Sequence, residues 1–308
     1  MKTITVQVPA TSANCGPGFD CLGLALQLYN VFTFELNEEA TSYSYTFKGF
    51  GADILAHEDT SRNLIGRAMY ELFYAVGEKP KFGHIISDSN IPPSRGLGSS
   101  STAIVGGLLL ANALVEKPLS KKELLTLAHR MEGHPDNVAP AIFGNLCCAL
   151  GNDREVVNTV ITVPEELSFA VVVPEVLVST EYARTALPYT IDFKEAVANI
   201  GYVSLLISSM VTRDLTNLQW ALQDNLHVPY RKKIIPCCDE VFSVARDKGA
   251  YGATISGSGS TLIAYCHHEV ALDVAKAMGN VFSSQDIKNT AYVLKADVIG
   301  AKVISRTL

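Results

Sequence analysis

The sequence has little of what marks a secreted, membrane-bound or nucleic-acid-binding chain. Only 18% of its 308 residues are charged and the net charge is −6, so the broad basic face of a nucleic-acid binder is missing. A small anionic substrate stays open, because a few local arginines suffice for one. The first eight residues hold no apolar stretch of signal-peptide length, and no run approaches the roughly 18–20 apolar residues of a membrane span. The expectation is a soluble, cytoplasmic chain with neither a membrane nor a nucleic acid as partner. The seven cysteines are odd in number, form adjacent pairs at 147–148 and 237–238, and include no Cys-x-x-Cys. That speaks against a disulfide framework or a zinc site and for small core residues in a reducing compartment. No internal repeat or low-complexity tract is present.

What is there is a hydrophobic content of 48%, enough at this length for a large core and two domains. Alternation at Ile4, Val6 and Val8 predicts a strand over 3–8 that stops at Pro9. The segment 9–20, Pro-Ala-Thr-Ser-Ala-Asn-Cys-Gly-Pro-Gly-Phe-Asp, reads as a loop. Phe32, Phe34 and Leu36, followed by Tyr43, Tyr45 and Phe47, predict a hairpin. Helical spacing follows Asn63 through Ile65, Ala68, Leu72 and Val76, and a short strand covers 82–87. An apolar buried helix is expected over 103–114, and a helix over 121–131 behind a Ser120/Glu123 capping box. The segment 132–140 reads as a second polar loop. Paired strands at 146–150 and 156–163 precede a break at Pro164, which divides the chain into 1–165 and 166–308. Beyond it come a strand at 169–173 and a long helix begun by Asp192 and Glu195, carrying Ala196, Ile200, Val203, Ile207 and Met210 inward. Helical segments at 215–222, 233–248 and 270–278 and strands at 252–255, 261–265 and 291–295 complete an α+β second half, with helices on one side of an antiparallel sheet.

The segment 91–102, Ile-Pro-Pro-Ser-Arg-Gly-Leu-Gly-Ser-Ser-Ser-Thr, joins a strand to a helix start. Two glycines free its backbone, and such a loop can aim N–H groups and the positive end of a helix dipole at a phosphate. It lacks the lysine of a Walker loop and the third glycine of a dinucleotide loop, and Arg95 is its only cation. Taken alone it reads equally as an N-capped core helix behind a flexible loop. The turn-rich 9–20 segment, the polar 132–140 loop (Glu-Gly-His-Pro-Asp-Asn-Val-Ala-Pro) and Ser-Gly-Ser-Gly-Ser-Thr at 256–261 shift that balance by their order along the chain.

These motifs together resemble the GHMP kinases, with the Pro-x-x-x-Gly-Leu-Gly-Ser-Ser phosphate loop in the centre. The versions at 9–20 and 134–140 are similar to those of the homoserine-phosphorylating branch. The resemblance spans essentially the whole chain. It departs at Ser260, where the family usually has proline. It implies a two-domain fold: an ATP-binding N-terminal domain like domain 2 of ribosomal protein S5 and a ferredoxin-like C-terminal domain, with the active site between them. It implies ATP and Mg2+, with L-homoserine as acceptor in a step toward threonine, and a homodimer as the assembly to consider. ATP contacts would come from Asn63 and from Pro92, Pro93, Ser94, Arg95, Gly96, Leu97, Gly98, Ser99, Ser100, Ser101 and Thr102. Mg2+ would be held by Ser100 or Ser101 and Glu132. Arg184 and Arg231 would bind the substrate carboxylate, with Asn14, Asp20, His134, Asp136, Thr180 and Gly257 around its ammonium and hydroxyl. Asn14, His134 and Asp136 are the candidate catalytic residues, with no base singled out. On the residues alone, Asn63 is an N-cap, Glu132 an exposed helix-end carboxylate, His134 a hydrogen-bonded structural residue and the two arginines solvated. The alternatives are a catalytically silent nucleotide-binding regulator and a kinase for another small alcohol. The intact Gly96, Gly98, Ser99, Glu132, Asp136 and Arg231 weigh against the former.

Overall fold

A computed structural model of the chain describes residues 2–57, 59–152 and 155–307. Its first sheet has seven strands: β1 (Thr3–Ala13), β2 (Leu22–Leu36), β3 (Ser44–Gly49), β4 (Gly83–Ser89), β5 (Leu146–Gly151), β6 (Val156–Ile161) and β11 (Lys302–Thr307). The path is β11-β1-β2-β4-β3, and the early part of the long β2 also pairs with β5, which carries β6 at the edge. All pairs are antiparallel except β3 with β4. The expected hairpin is therefore wrong: β4 lies between β2 and β3. Alternation had reported which side chains face the core, as it does for the buried Phe32 and Phe34, but carries no information on which strand is the neighbour.

Strand β1 also overruns its expected stop. Pro9 sits at a register shift in the β1–β2 pairing and past Gln7, where the pairing with β11 ends, a place where a missing N–H is tolerated. The rest of the 9–20 segment remains a turn, with Asn14, Cys15 and Asp20 at φ of 71°, 48° and 55°.

Five helices accompany this sheet: the single turn α1 (Ala52–Leu55), α2 (Leu64–Val76), α3 (Ser99–Asn112), α4 (Lys121–Glu132) and α5 (Pro135–Phe143). The Ser120/Glu123 capping box of α4 forms as expected. The expected 132–140 loop is mostly the helix α5: Pro135 is at its first turn, where the missing N–H costs nothing.

The second sheet is fully antiparallel in the order β10-β7-β9-β8, from β7 (Leu167–Pro174), β8 (Gly252–Ile255), β9 (Leu262–His267) and β10 (Asn289–Leu294). Its helices are α6 (Thr180–Thr185), α7 (Phe193–Thr212), α8 (Leu218–Ala221), α9 (Val228–Arg231), α10 (Cys238–Asp247) and α11 (Ala271–Ser284). Val241, Phe242, Met278 and Phe282 of α10 and α11 cover the face bearing Ala170, Val172 and Ala264. The other face, Phe169, Val171 and Tyr265, shares one core with Leu206 and Met210 of α7 and with Leu22 and Leu24 of β2. Helices therefore lie on both faces, not one, and this second core joins the two sheets. The expected helix over 233–248 is shortened to α10, because Pro236 separates it from a 3-10 turn at Lys232–Ile234. The division at 165/166 falls between β1–β6 of the first sheet and β7–β10 of the second, while β11 returns from 302–307 to pair with β1.

Helix α7 corrects two further expectations. By length and composition it is apolar enough to cross a membrane, although the sequence had suggested no such run. Its inward face is Asn199, Leu206, Ser209 and Met210, whereas Ile200 points outward at 65% exposure.

Buried Asn30 ties the sheet to the helix layer. Its Oδ1 accepts from the N–H groups of Asn90 (2.9 Å) and Ile91 (3.0 Å), and its Nδ2 donates to Thr102 Oγ1 (2.9 Å). Asn30→Ala strands these groups, so we expect it to cost about 2–3 kcal/mol of stability, read from the urea unfolding midpoint.

Candidate active site

The loop between β4 and α3 is fixed from below and from the side. Leu97 is buried and its carbonyl accepts from Thr11 N–H at 3.1 Å. Ser256 Oγ donates to the Gly96 carbonyl at 2.6 Å, and Thr261 N–H donates to the Arg95 carbonyl at 3.1 Å. Gly96 and Gly98 both have left-handed backbones, φ +78° and +69°. A Cβ on Gly96 would fall 2.1 Å from the Ser256 carbonyl oxygen, and one on Gly98 2.0 Å from Thr11 Oγ1, so close approach as well as φ demands glycine at both. Gly98 is the N-cap of α3 and has no side chain with which to cap it. The first N–H groups of a fourteen-residue helix and the positive end of its dipole thus open at this point.

They open into a cavity of about 380 Å³ lined by residues from both sheets' connections. At one end lie Phe47, Leu55, Leu64 and Asn63, an apolar recess with a polar rim. Asn63 fills its N-cap role as well, because its Oδ1 accepts from Ile65 N–H at 3.0 Å. In the middle, Ser100 and Ser101 hydroxyls both point at Glu132 Oε1, at 3.4 and 2.7 Å. Pro93, Ser94 and Arg95 form a wall with Gly96, Gly98 and Ser99. The Arg95 guanidinium donates to the Ser94 carbonyl at 3.3 Å. Pro92, Leu97 and Thr102 differ from expectation: they are buried and do not line the cavity. Thr102 instead bridges Asn30 to the Ser99 carbonyl.

The other end gathers charge. Arg184 on α6 donates to both oxygens of Asp20 at 3.0 and 2.9 Å. That bidentate pairing holds the Arg184 pKa above its ordinary value. Arg231 on α9 is buried and donates to the carbonyls of Gly257 (3.0 Å) and Ala183 (3.3 Å). Burial, and next the Arg184 charge, lower its pKa to about 10, which still leaves it cationic at neutral pH. Both guanidinium groups lie over the Phe19 ring, at 5.6 and 5.2 Å from its centre. Asn14 connects the two halves by donating to the Gly257 carbonyl at 2.9 Å while accepting from Asp20 N–H at 3.0 Å. His134 Nδ1 meets Asp136 Oδ1 at 2.7 Å, with Asp136 almost fully buried at the start of α5. Thr180 reaches Ser258 Oγ at 3.5 Å, and Gly257 and Thr180 both line the cavity. Ser260 is buried behind them, its hydroxyl on the Val176 carbonyl at 2.5 Å.

Four contributors escaped sequence reasoning: Asn30, Phe19, Asn137 and the pair Asp224–His227. Asn137 Oδ1 accepts from Thr11 Oγ1 at 2.8 Å beside the phosphate-loop turn. Asp224 collects the N–H groups of Leu226, His227 and Val228 at 3.1, 2.8 and 2.7 Å. That fixes the buried His227, whose Nε2 donates to the Gly16 carbonyl at 2.9 Å with its ring 5.4 Å from Phe19. Burial pushes the His227 pKa down, and the carbonyl partner places the proton of the neutral ring on Nε2. Phe19 was visible within a motif but has no reactive atom, so only its position between two cations marks it.

Residues 63–145 match the pattern of the GHMP kinases N terminal domain and residues 206–284 that of the GHMP kinases C terminal. The chain is 40% identical over 302 residues to a homoserine kinase of Desulfitobacterium hafniense, covering 98% of this chain and 100% of that protein. It is 42% identical over 304 residues to one from Caldicellulosiruptor bescii, covering 98% and 97%. A crystal structure of homoserine kinase from Cytophaga hutchinsonii superposes with a TM-score of 0.90 at 30% identity, covering 98% of this chain and 97% of that one. A mevalonate kinase structure shares the fold alone, at 14% identity and a TM-score of 0.69, over 95% and 99% of the two chains.

The His134–Asp136 hydrogen bond raises the His134 pKa above 6.5, against the opposing effect of burial. The stability this gives the folded state is fully present below the unfolded value and is lost as pH rises through the folded one. We expect the wild type to lose thermal stability relative to His134→Gln as pH climbs through that window. Coincident melting curves across pH 6–9 would show that the pair does not form.

Proposed function

Because the chain belongs to the GHMP kinase family, we propose that the cavity between its two sheets is the site of phosphoryl transfer, with the following division of labour. The reaction is the ATP-dependent phosphorylation of the side-chain hydroxyl of L-homoserine, a step toward threonine. The fold is the two-domain GHMP kinase fold. A bond forms between the homoserine hydroxyl oxygen and the γ-phosphorus, the bond from that phosphorus to ADP breaks, and the hydroxyl proton departs.

We assign the nucleotide to the recess and cradle. The adenine lies toward Asn63 and Phe47, and the phosphates meet the N–H groups at the start of α3. Ser100, Ser101 and Glu132 suit a magnesium ion, since hydroxyl and carboxylate oxygens are the hard donors it prefers and these three already converge. When bound, that ion would neutralise phosphate charge. Arg95, at the mouth of the loop, contributes at most a weak long-range attraction in this reading.

The observation that carries the substrate assignment is the Asp20–Arg184–Arg231 cluster over Phe19. An α-amino acid presents a carboxylate and an ammonium side by side, and this cluster offers two guanidinium groups and one carboxylate within one wall. We assign the substrate carboxylate to the arginines and the ammonium to Asp20, which gives up part of its contact with Arg184 on binding. Asn14 positions Asp20, Gly257 and Thr180 line the wall beside Arg231, and His134 and Asp136 face the acceptor hydroxyl. Positioning and electrostatic stabilisation suffice for a loose phosphoryl-transfer transition state, so no dedicated base is required. A silent regulator would have no use for a substrate wall of this kind. We further propose a cytoplasmic location, consistent with seven free cysteines in a reducing compartment, and a homodimer as the assembly.

With ATP and Mg2+, purified protein is expected to release ADP on addition of L-homoserine and not of mevalonate, galactose or shikimate. Turnover with one of the latter alone would overturn the substrate assignment. Arg231→Ala and Arg184→Ala are each expected to raise the KM for homoserine about tenfold to a hundredfold, the loss of one charge-assisted interaction, while the KM for ATP stays put.

A further inference from the structure

The substrate wall is assembled from pieces of chain far apart in sequence: the 14–20 turn supplies Phe19 and Asp20, and α9 supplies Arg231. At the cavity they meet on the Gly257 carbonyl, to which Asn14 and Arg231 both donate, and at the Phe19 ring. Behind them lies a second set of contacts, made by residues that do not line the cavity. The adjacent carbonyls of Gly16 and Pro17 are both taken by buried side chains from the second half of the chain. His227 Nε2 donates to Gly16 and Asn199 Nδ2 donates to Pro17, each at 2.9 Å. Each donor is itself locked. Asn199, on the inward face of α7, accepts from Asn225 N–H at 3.1 Å, and Asp224 accepts from His227 N–H at 2.8 Å. The turn rests directly on this segment, since a Cβ at Gly16 would lie 3.2 Å from the Leu222 carbonyl oxygen.

We propose that His227 and Asn199 are positioning residues for the acceptor amino acid, acting through Arg231 and the Phe19–Asp20 turn to set the spacing of the substrate wall. The proposal rests on the assignment of that wall to homoserine. His227 immediately precedes α9, and its carbonyl accepts from Arg231 N–H at 2.9 Å. The residue that grips the turn with its side chain therefore also holds the backbone of the arginine. Its ring lies 5.4 Å from that of Phe19, over which Arg184 and Arg231 both lie. Arg231 in turn donates to the Ala183 carbonyl at 3.3 Å, and Ala183 belongs to α6, the helix that bears Arg184. A shift of the turn against α9 thus misplaces both guanidinium groups relative to Asp20. Paired hydrogen bonds to a carboxylate are directional, and a binding constellation tolerates only about 0.5 Å of such misplacement.

A general role in holding the core together suits this pair less well. The nucleotide end of the cavity is anchored by other groups: Asn30, Thr11 and Ser256 hold the loop between β4 and α3, and Asn63 caps α2. His227 and Asn199 contact none of these, so their effect is confined to the acceptor end. The carbonyls they satisfy also belong to the one stretch that carries Phe19 and Asp20. Asn14, Cys15 and Gly16 there are left-handed, at φ of 71°, 48° and 80°, so the turn depends on side-chain donors to hold its shape.

Steady-state kinetics of the full-length protein with ATP and Mg2+ test this in His227→Asn, His227→Gln and Asn199→Leu. A glutamine can place its amide nitrogen where Nε2 lies, whereas the amide of asparagine falls at the Nδ1 position, short of Gly16. His227→Asn and Asn199→Leu are expected to raise the KM for L-homoserine about tenfold, the loss of one buried hydrogen bond, with the KM for ATP unchanged. His227→Gln is expected to restore the homoserine KM to within about threefold of the wild type. Should His227→Asn not fold, Asn199→Leu carries the same test from a different element. A wild-type homoserine KM in folded His227→Asn and Asn199→Leu overturns the proposal. So does a parallel rise in the KM for ATP, which would mark a general loosening of the fold. Equal homoserine KM values in His227→Asn and His227→Gln overturn the role of the Nε2 donor. A wild type that does not phosphorylate homoserine overturns the substrate assignment itself, before any variant is made.

Discussion

The cavity depends on one capping position left empty. Helices α2, α4, α6 and α7 close their first turn with the side chain of Asn63, Ser120, Ser179 or Asp192, whereas α3 begins at Gly98, which has none to offer. The N–H groups that a cap would satisfy are thereby left for whatever enters the cleft. Keeping them there requires the loop to hold its shape without a ligand. Asn30 below, Thr11 behind and Ser256 opposite hold it through hydrogen bonds to backbone atoms. Two of these anchors lie in the first sheet and the third directly follows β8 of the second, so the phosphate site is defined only when both sheets are packed together.

The acceptor half follows a different rule. There the polar groups are already paired, the Arg184 guanidinium with the Asp20 carboxylate and His134 Nδ1 with Asp136 by a hydrogen bond, and Arg231 is sunk among carbonyl oxygens. Burying Asp136 or Arg231 without partners would cost several kcal/mol each. Pairing them lowers that cost and leaves a wall whose charges are complementary to a zwitterion. The polar scaffold of Asp224, His227 and Asn14 holds the 14–20 turn in position. Within this wall the N-terminal turn and the 256–261 loop are joined by Asn14, whose one side chain accepts from the Asp20 N–H and donates to the Gly257 carbonyl.

Much of this was legible in the sequence because phosphate cradles are local. Glycine positions, the Ser120 capping box and the alternation of Phe32 and Phe34 follow from nearest neighbours in the chain. What failed was long-range. Strand β4 inserts between β2 and β3, and β11 crosses back to β1; neither shows in the residues of the strands concerned. The 132–140 segment misled because its density of polar groups suggested a loop, while Pro135 at a first helical turn starts α5 and places Asp136 where it is buried. The outward turn of Ile200 escaped because a helix apolar on both sides gives no phase to its periodicity. Phe19 and His227 act through stacking and burial, which no spacing rule reports.

The central claim is that backbone N–H groups, shaped by Gly96 and Gly98, bind the phosphates in place of the missing lysine. Calorimetric titration of ATP into Gly96→Ala tests it most directly, because a methyl there must displace the Ser256 carbonyl or the loop itself. The account predicts a folded protein whose ATP affinity has fallen at least about tenfold, some 1.4 kcal/mol. Wild-type affinity in that variant would show that the nucleotide is held by something other than the loop.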